Sequence, residues 1–344
     1  MRNANEPDRR IAPGTTGGVL DTIADGLTFV LEHPRIMILP LVVDLVLWLF
    51  IHVSLAPLAN NVARFLEDSG TTDADLAAEG LRDIGARVQV SDGLGAFLPS
   101  LFSGLPLDSF LNVLVTTMSP NMGLGIDREA IYETWERGLL AAWTPDSAGV
   151  VALIGLGCLI VGTLLLVLYR VPMARAVRGD TTSRLMPEIG KAWMHFIAYL
   201  VLMAVAVVIA MVPLFLATMV LLILGFNLVF IMVMALFIFG GMVSISTLFT
   251  VDAMLLHRIG PIQALRMSWS VGRVNFAQTS RFALTSLLFL MGSLHLWSRM
   301  VETMPGIAIA LVVNAFIGTG LSFASMLFYS DRFRLIRTRQ RSQR

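Results

Sequence analysis

Apolar residues along this chain gather into six long runs, and the polar residues between them are rich in arginine. The runs are residues 36–55, 150–168, 196–216, 228–249, 282–296 and 306–328. Crossing ~30 Å of hydrocarbon takes about 20 residues at ~1.5 Å per residue, so each run predicts a spanning helix, the fifth extending to Trp297. The expected fold is an all-α, polytopic membrane helical bundle with six transmembrane helices.

Arginine placement orients that bundle. Arg2, Arg9, Arg10 and Arg35 precede the first run, and Arg170, Arg175, Arg178, Arg184 and Lys191 lie between the second and third. Arg258, Arg266, Arg273 and Arg281 separate the fourth from the fifth, while Arg332, Arg334, Arg337, Arg339, Arg341 and Arg344 follow the sixth. Those four regions hold 19 of the 25 basic residues, and six spans place all of them on one side. By the excess of positive charge on cytoplasmic loops, both termini are expected inside.

Shorter patterns fill the gaps. Leu20, Ile23, Leu27, Val30 and Leu31 recur at helical spacing, with Asp21, Asp25 and Glu32 on other faces and His33-Pro34 as the stop. An acidic polar face is poorly suited to anionic lipid, so this interfacial amphipathic helix is expected to dock on the protein's own bundle. Residues 1–35 form that cytoplasmic N-terminus and 36–59 the first transmembrane helix. Residues 60–148 form a small extracytoplasmic helical insert, with 13 acidic residues against five Arg. Leu76, Leu81, Ile84 and Val88 predict one helix in it; Ile131, Trp135 and Leu139, after a cap at Asp127, predict another. Between them, 93–119 is apolar and broken by Gly and Pro; it lies in the outer leaflet or forms the core of a folded cap. Residues 149–330 make the five-helix remainder, and 331–344 an Arg-rich cytoplasmic tail expected to prolong the last span.

A weak parallel repeat runs through the remainder. The second run, Pro187, Trp193, Phe196 and the third run recur in order as the fourth run, Pro261, Trp269, Phe276 and the fifth. Parallel repeats build transporters as well as inert bundles. Pro213 predicts a kink or an early end to the third span, or irregular backbone at a cavity.

Composition sharpens the class. The chain has 344 residues, 56% of them hydrophobic, with a mean hydropathy of +0.76, too apolar for an ordinary soluble fold. All basic residues are arginine except Lys191, a bias suggesting a GC-rich bacterial genome. The opening residues lack a signal-peptide core, so the first span is expected to act as an uncleaved anchor. The lone Cys158 excludes an internal disulfide and reads as a packing residue.

Asp44 is the sharpest candidate for chemistry. It lies about 8 residues into the first run, roughly 12 Å deep, where a carboxylate costs ~2.5–3.5 kcal/mol and must face the bundle or water. Trp48 and His52 follow at i+4 and i+8 on the same stripe. This intramembrane polar site would handle protons or cations or hold a headgroup; otherwise Asp44 is a helix-joining carboxylate, protonated or paired with Arg258 or Arg170. The five histidines, His33, His52, His195, His257 and His295, lack metal-ligand spacing, and no nucleophile elbow, phosphate loop or HExxH sequence is present. No cofactor or metal is expected.

Two further patterns concern contacts. Gly306, Ala310, Asn314, Gly318 and Ser322 at four-residue spacing form a helix-packing face, within the bundle or toward a homo-oligomer or partner helix. In 260–276, Pro261 suits a first helical turn; Ile262, Leu265, Trp269 and Phe276 make an apolar stripe, with Arg266 and Arg273 beside it. Such a basic amphipathic helix reads as lying on the membrane, so Arg266, Trp269 and Arg273 are candidate lipid headgroup contacts; the plainer reading is an elbow whose arginines only enforce topology.

The stretch Met173-Ala174-Arg175-Ala176-Val177-Arg178-Gly179-Asp180 with Lys191-Ala192-Trp193, and the stretch from Gly260 to Ser270 ending in Arg273-Val274-Asn275-Phe276, together resemble a known architecture. It is the membrane domain found ahead of some bacterial glycerophosphodiester phosphodiesterases, and related six-helix integral membrane proteins. The resemblance covers roughly 148–334. It implies an architecture and an association with lipid; the catalytic domain is absent, so no catalytic residue carries over.

The expected function is a non-enzymatic membrane module of the bacterial inner membrane that binds lipid or organises a protein partner. Its contacts would be Arg266, Trp269 and Arg273 inside and 97–115 outside. The alternative is a secondary transporter using Asp44 with His52; a lipid enzyme ranks third. Nucleic-acid binding is not expected, because the positive-inside pattern accounts for the basic tail.

Overall fold

The computed structural model describes residues 18–49, 56–68, 78–79, 82, 98, 147–180, 184–223, 247–300 and 303–342. Among them there are nine α-helices, one 3-10 turn and no strand. The helices are α1 (Val19–Glu32), α2 (Ile38–Leu49), α3 (Ala56–Asp68), α4 (Ala148–Arg178) and α5 (Leu185–Ile223). They continue with α6 (Thr250–His257), α7 (Pro261–Val274), α8 (Phe276–Met300) and α9 (Met304–Ser342); the 3-10 turn is Pro34–Met37. Expectations for 224–246, which hold most of the fourth run, and for nearly all of the insert beyond α3 lie outside the described residues.

Three of these helices are long and apolar enough to cross a membrane: Gly149–Arg178, Leu185–Ala206 and Pro305–Thr338. Their 30, 22 and 34 residues each exceed the roughly 20 that hydrocarbon demands. Large apolar side chains stand exposed along them and along α8, among them Leu153, Leu156, Val201, Ile209, Leu284 and Leu288. A belt of that extent is unfavourable in water and suits hydrocarbon.

The helices run on beyond their apolar segments. α4 continues through Pro172 to Arg178, where Gly179 takes a left-handed φ of 67° and donates its N–H to Ala176. Glycine meets that geometry without steric cost, and Asp180 N–H then closes onto the Arg175 carbonyl. α5 passes through Pro213 to Ile223, so that proline does not end the helix. α9 is unbroken to Ser342, carrying the arginine tail as helix.

α1 lies against α9, the most extensive interhelical contact described. Asp21 caps its start by accepting from Gly18 N–H at 2.7 Å, and Pro34 follows its end. Gly26 faces the backbone of Gly320 and the side chain of Ala324, where a Cβ would collide. Phe29 stacks on Phe323 with ring centroids 3.6 Å apart. Docking on the bundle, expected from the acidic polar face, is what this helix does. An aromatic cluster of Phe249, Phe282, Phe328 and Tyr329 joins α6, α8 and α9, with centroid separations of 4.7–6.2 Å.

Candidate functional site

The two arginine-rich turns meet at one end of the bundle and are tied reciprocally. From the end of α4, Arg178 donates to the Leu255 carbonyl near the end of α6 and to the Glu188 carboxylate at the start of α5. From the end of α6, Arg258 donates to Asp180 Oδ2 at 2.5 Å and to both Glu188 oxygens at 3.1 Å. Arg258 has a φ of 55°, the one non-glycine in the left-handed region among the described residues. A side chain there costs energy that surrounding contacts must offset. The two turns of the repeat therefore share a geometry: Gly179 and Arg258 are the two positive-φ residues among the described ones, each shortly before a helix with an early proline. They differ afterwards, since α5 runs from turn into span without a break whereas Asn275 separates α7 from α8.

Deeper in the same region, Arg170 Nη1 lies 2.7 Å from Asp252 Oδ1, and Ser325 donates to Asp252 Oδ2 at 2.5 Å. This triad links α4, α6 and α9 around a carboxylate that is 0% exposed. A charge so buried is tolerable only when paired and hydrogen-bonded, as here. Trp193 Nε1 adds a link from α5 to Thr163 Oγ1 of α4 at 3.1 Å.

Between α4, α5 and α6 lies a cavity of ≈ 200 Å³. Its polar lining is Glu188, Lys191, His195 and Arg258; its apolar lining is Val171, Pro187, Ala192, Met254 and Leu255. The single lysine of the chain thus stands on its wall. The carboxylates nearby are held by Arg178 and Arg258, whereas Lys191 makes no ion pair among the described residues.

α7 presents two unlike faces. Ala264, Ser268, Val271 and Gly272 are buried, small enough to bring the helix close to its neighbours. Ile262, Arg266, Trp269 and Arg273 point outward together, with Trp269 48% exposed. The apolar stripe read from the sequence is therefore not the face that packs on the protein.

The other sequence candidates are placed as follows. Asp44 is 0% exposed in α2 and has an interaction partner. The two arginines considered for it serve Asp252, and Asp180 with Glu188. Trp48 lies in α2; His52 is outside the described residues. Gly306, Ala310, Asn314 and Gly318 are buried in α9 and Ser322 is half-buried. Gly306 is crowded by Met300 and Thr303 of the preceding turn. Among the described residues no group of His, Cys, Asp or Glu is placed to hold a metal.

Sequence reasoning missed Asp252, Glu188 and the cavity. Asp252 carried one signal: it is the first charge after the nearly uncharged stretch from His195 to Val251. Comparison with protein-family models, curated proteins and solved structures finds no match.

Proposed function

We propose that this chain is a six-span protein of a bacterial cytoplasmic membrane, with both termini inside, an external insert after the first span, and a lipid-binding, non-enzymatic role. The observation that carries the reading is the outward face of α7, where Arg266 and Arg273 alternate with Ile262 and exposed Trp269. Side chains on that face have no use for water on their apolar parts, and guanidinium groups beside them match lipid phosphates. α8 follows at Phe276 with further exposed apolar residues, which continues the surface into hydrocarbon. The motifs resembling the phosphodiesterase-associated membrane domain point the same way, toward lipid. Reconstitution into nanodiscs containing brominated phospholipid tests it. The fluorescence lost on removing Trp269 (Trp269→Phe) is expected to be strongly quenched by bromine. Unquenched emission from that indole would sink the membrane-seated reading.

A second reading is a transporter centred on Asp44, favoured by the complete burial of that carboxylate in an apolar helix. The lining of the cavity described above does not include Asp44. Full substrate-coupled uptake by an Asp44→Asn variant would dismiss it.

A further inference from the structure

We infer that the cavity between α4, α5 and α6 is a headgroup site for an anionic phospholipid, with Lys191 as its phosphate contact and the outer face of α5 as the track for an acyl chain. The inference rests on the membrane seating proposed above and gives it a particular lipid class and a particular site.

Charge comes first. Arg178 and Arg258 are spent on Glu188 and Asp180, so the carboxylate on the cavity wall is already neutralised by guanidinium groups. Lys191 adds a positive charge with no ion pair among the described residues, and His195 stands one turn further along the same helix wall. An ammonium is a compact point charge with three rotatable donors, which suits a tetrahedral phosphate approached from several angles. Every other basic residue of this chain is arginine, so the one lysine falls on the wall of this cavity.

Shape comes second. The remaining lining from Val171, Met254 and Leu255 is apolar, as the glycerol end of a lipid requires. Lys191, His195, Ala198, Leu202, Val205 and Ile209 recur at alternating four- and three-residue spacing, so they share one face of α5. Ala198, Val205 and Ile209 on that face are exposed. From His195 to Val205 the helix rises about 15 Å, half of a ~30 Å hydrocarbon layer. A headgroup in the cavity would thus send its chain along an apolar strip one leaflet long. A free phosphate would use the cavity alone, whereas a lipid would use the cavity and that strip together.

The test uses the full chain in phosphatidylcholine nanodiscs with phosphatidylglycerol as the minority lipid, ejected and weighed by native mass spectrometry. Wild type is expected to retain phosphatidylglycerol; Lys191→Gln is expected to lose about tenfold in retention, the loss of one charge-assisted contact. Lys191→Arg, which keeps the charge but widens the group, is expected to fall between them, and Arg266→Ala with Arg273→Ala to keep the bound lipid. Equal retention by wild type and Lys191→Gln overturns the site. Displacement of the lipid by millimolar-range inorganic phosphate, with Lys191-dependent thermal stabilisation by phosphate alone, overturns the lipid as occupant. Quenching at Trp269 does not pass through Lys191, so a seated wild-type protein that retains no phosphatidylglycerol overturns this inference alone.

Discussion

Arg178 and Arg258 are crossed: each extends from the end of its own helix to groups at the end of the other's. Arg258 does so from a left-handed backbone, where its side chain is itself a strain. Two effects of opposite sign therefore meet at one residue. Arg258→Ala is expected to lower stability by about 1 kcal/mol, because the ion pairs are partly solvent-screened. Arg258→Gly loses the same pairs but relieves ~1 kcal/mol of backbone cost. The glycine variant is expected to melt above the alanine variant in detergent; the reverse order would show that the left-handed turn is not what Arg258 sustains.

The Arg170–Asp252 pair predicts an asymmetry between single and double changes. Asp252→Asn leaves a guanidinium without its carboxylate, and breaking a buried pair costs about 3 to 5 kcal/mol. Replacing both, Arg170→Met with Asp252→Leu, removes the uncompensated charge and is expected to restore most of that loss. Thermal melts of the single and the double variant beside wild type measure it. A double variant no better than the single one would place the value of the triad elsewhere.

How much of this was legible beforehand follows from where each signal resides. The apolar runs predicted α4, α5 and α9 because hydrocarbon thickness acts on consecutive residues, so the constraint is written locally. The small buried residues of α7 were overshadowed by its larger outward ones: Ile262, Trp269 and Phe276 dominated the pattern, whereas Ala264, Ser268, Val271 and Gly272 do the packing. In water an apolar stripe marks the packed face; on α7 the stripe faces outward, which the membrane seating proposed above would account for. The pairing of Asp252 with Arg170 and Ser325 joins residues 82 and 73 positions apart, a relation that periodicity does not encode. Nor does it encode the cavity, which exists only once α4, α5 and α6 are assembled.

Gly26 offers a sharper test of close packing. Inside a helix glycine costs up to ~1 kcal/mol relative to alanine, so a loosely packed site would gain from Gly26→Ala. Here the added methyl meets the Gly320 backbone and the Ala324 side chain, and overpacking of this kind costs about 1–3 kcal/mol. The variant is expected to be less stable, with α1 exchanging amide hydrogens faster than in wild type. Added stability would mean that α1 and α9 are not in backbone contact.

His257 predicts a pH dependence. Burial pushes its imidazole below the usual 6.5, and the charges of Arg337 and Arg178 push the same way. Phe333 and Tyr329 pack on the ring at 4.5 Å and 5.8 Å, which favours the neutral form. A depressed base binds fewer protons folded than unfolded, so its contribution is complete above ~6.5 and lost as the pH falls from there through the folded value. Melting temperature is expected to drop on acidification through that window, and His257→Phe to flatten the drop. An unchanged profile in the phenylalanine variant would assign the acid sensitivity to other groups.

The docking of α1 on α9 also sets a schedule for assembly. Gly26 is translated almost 300 residues before Gly320, so the apolar side of α1 must wait for α9 before it is covered. During synthesis that surface is open to the insertion machinery and to proteases. The finished molecule is closed only when its first described helix meets its last. A chain halted short of α9 would carry α1 with its apolar side uncovered, a plain mark by which quality control can recognise a copy in which the two helices have not met.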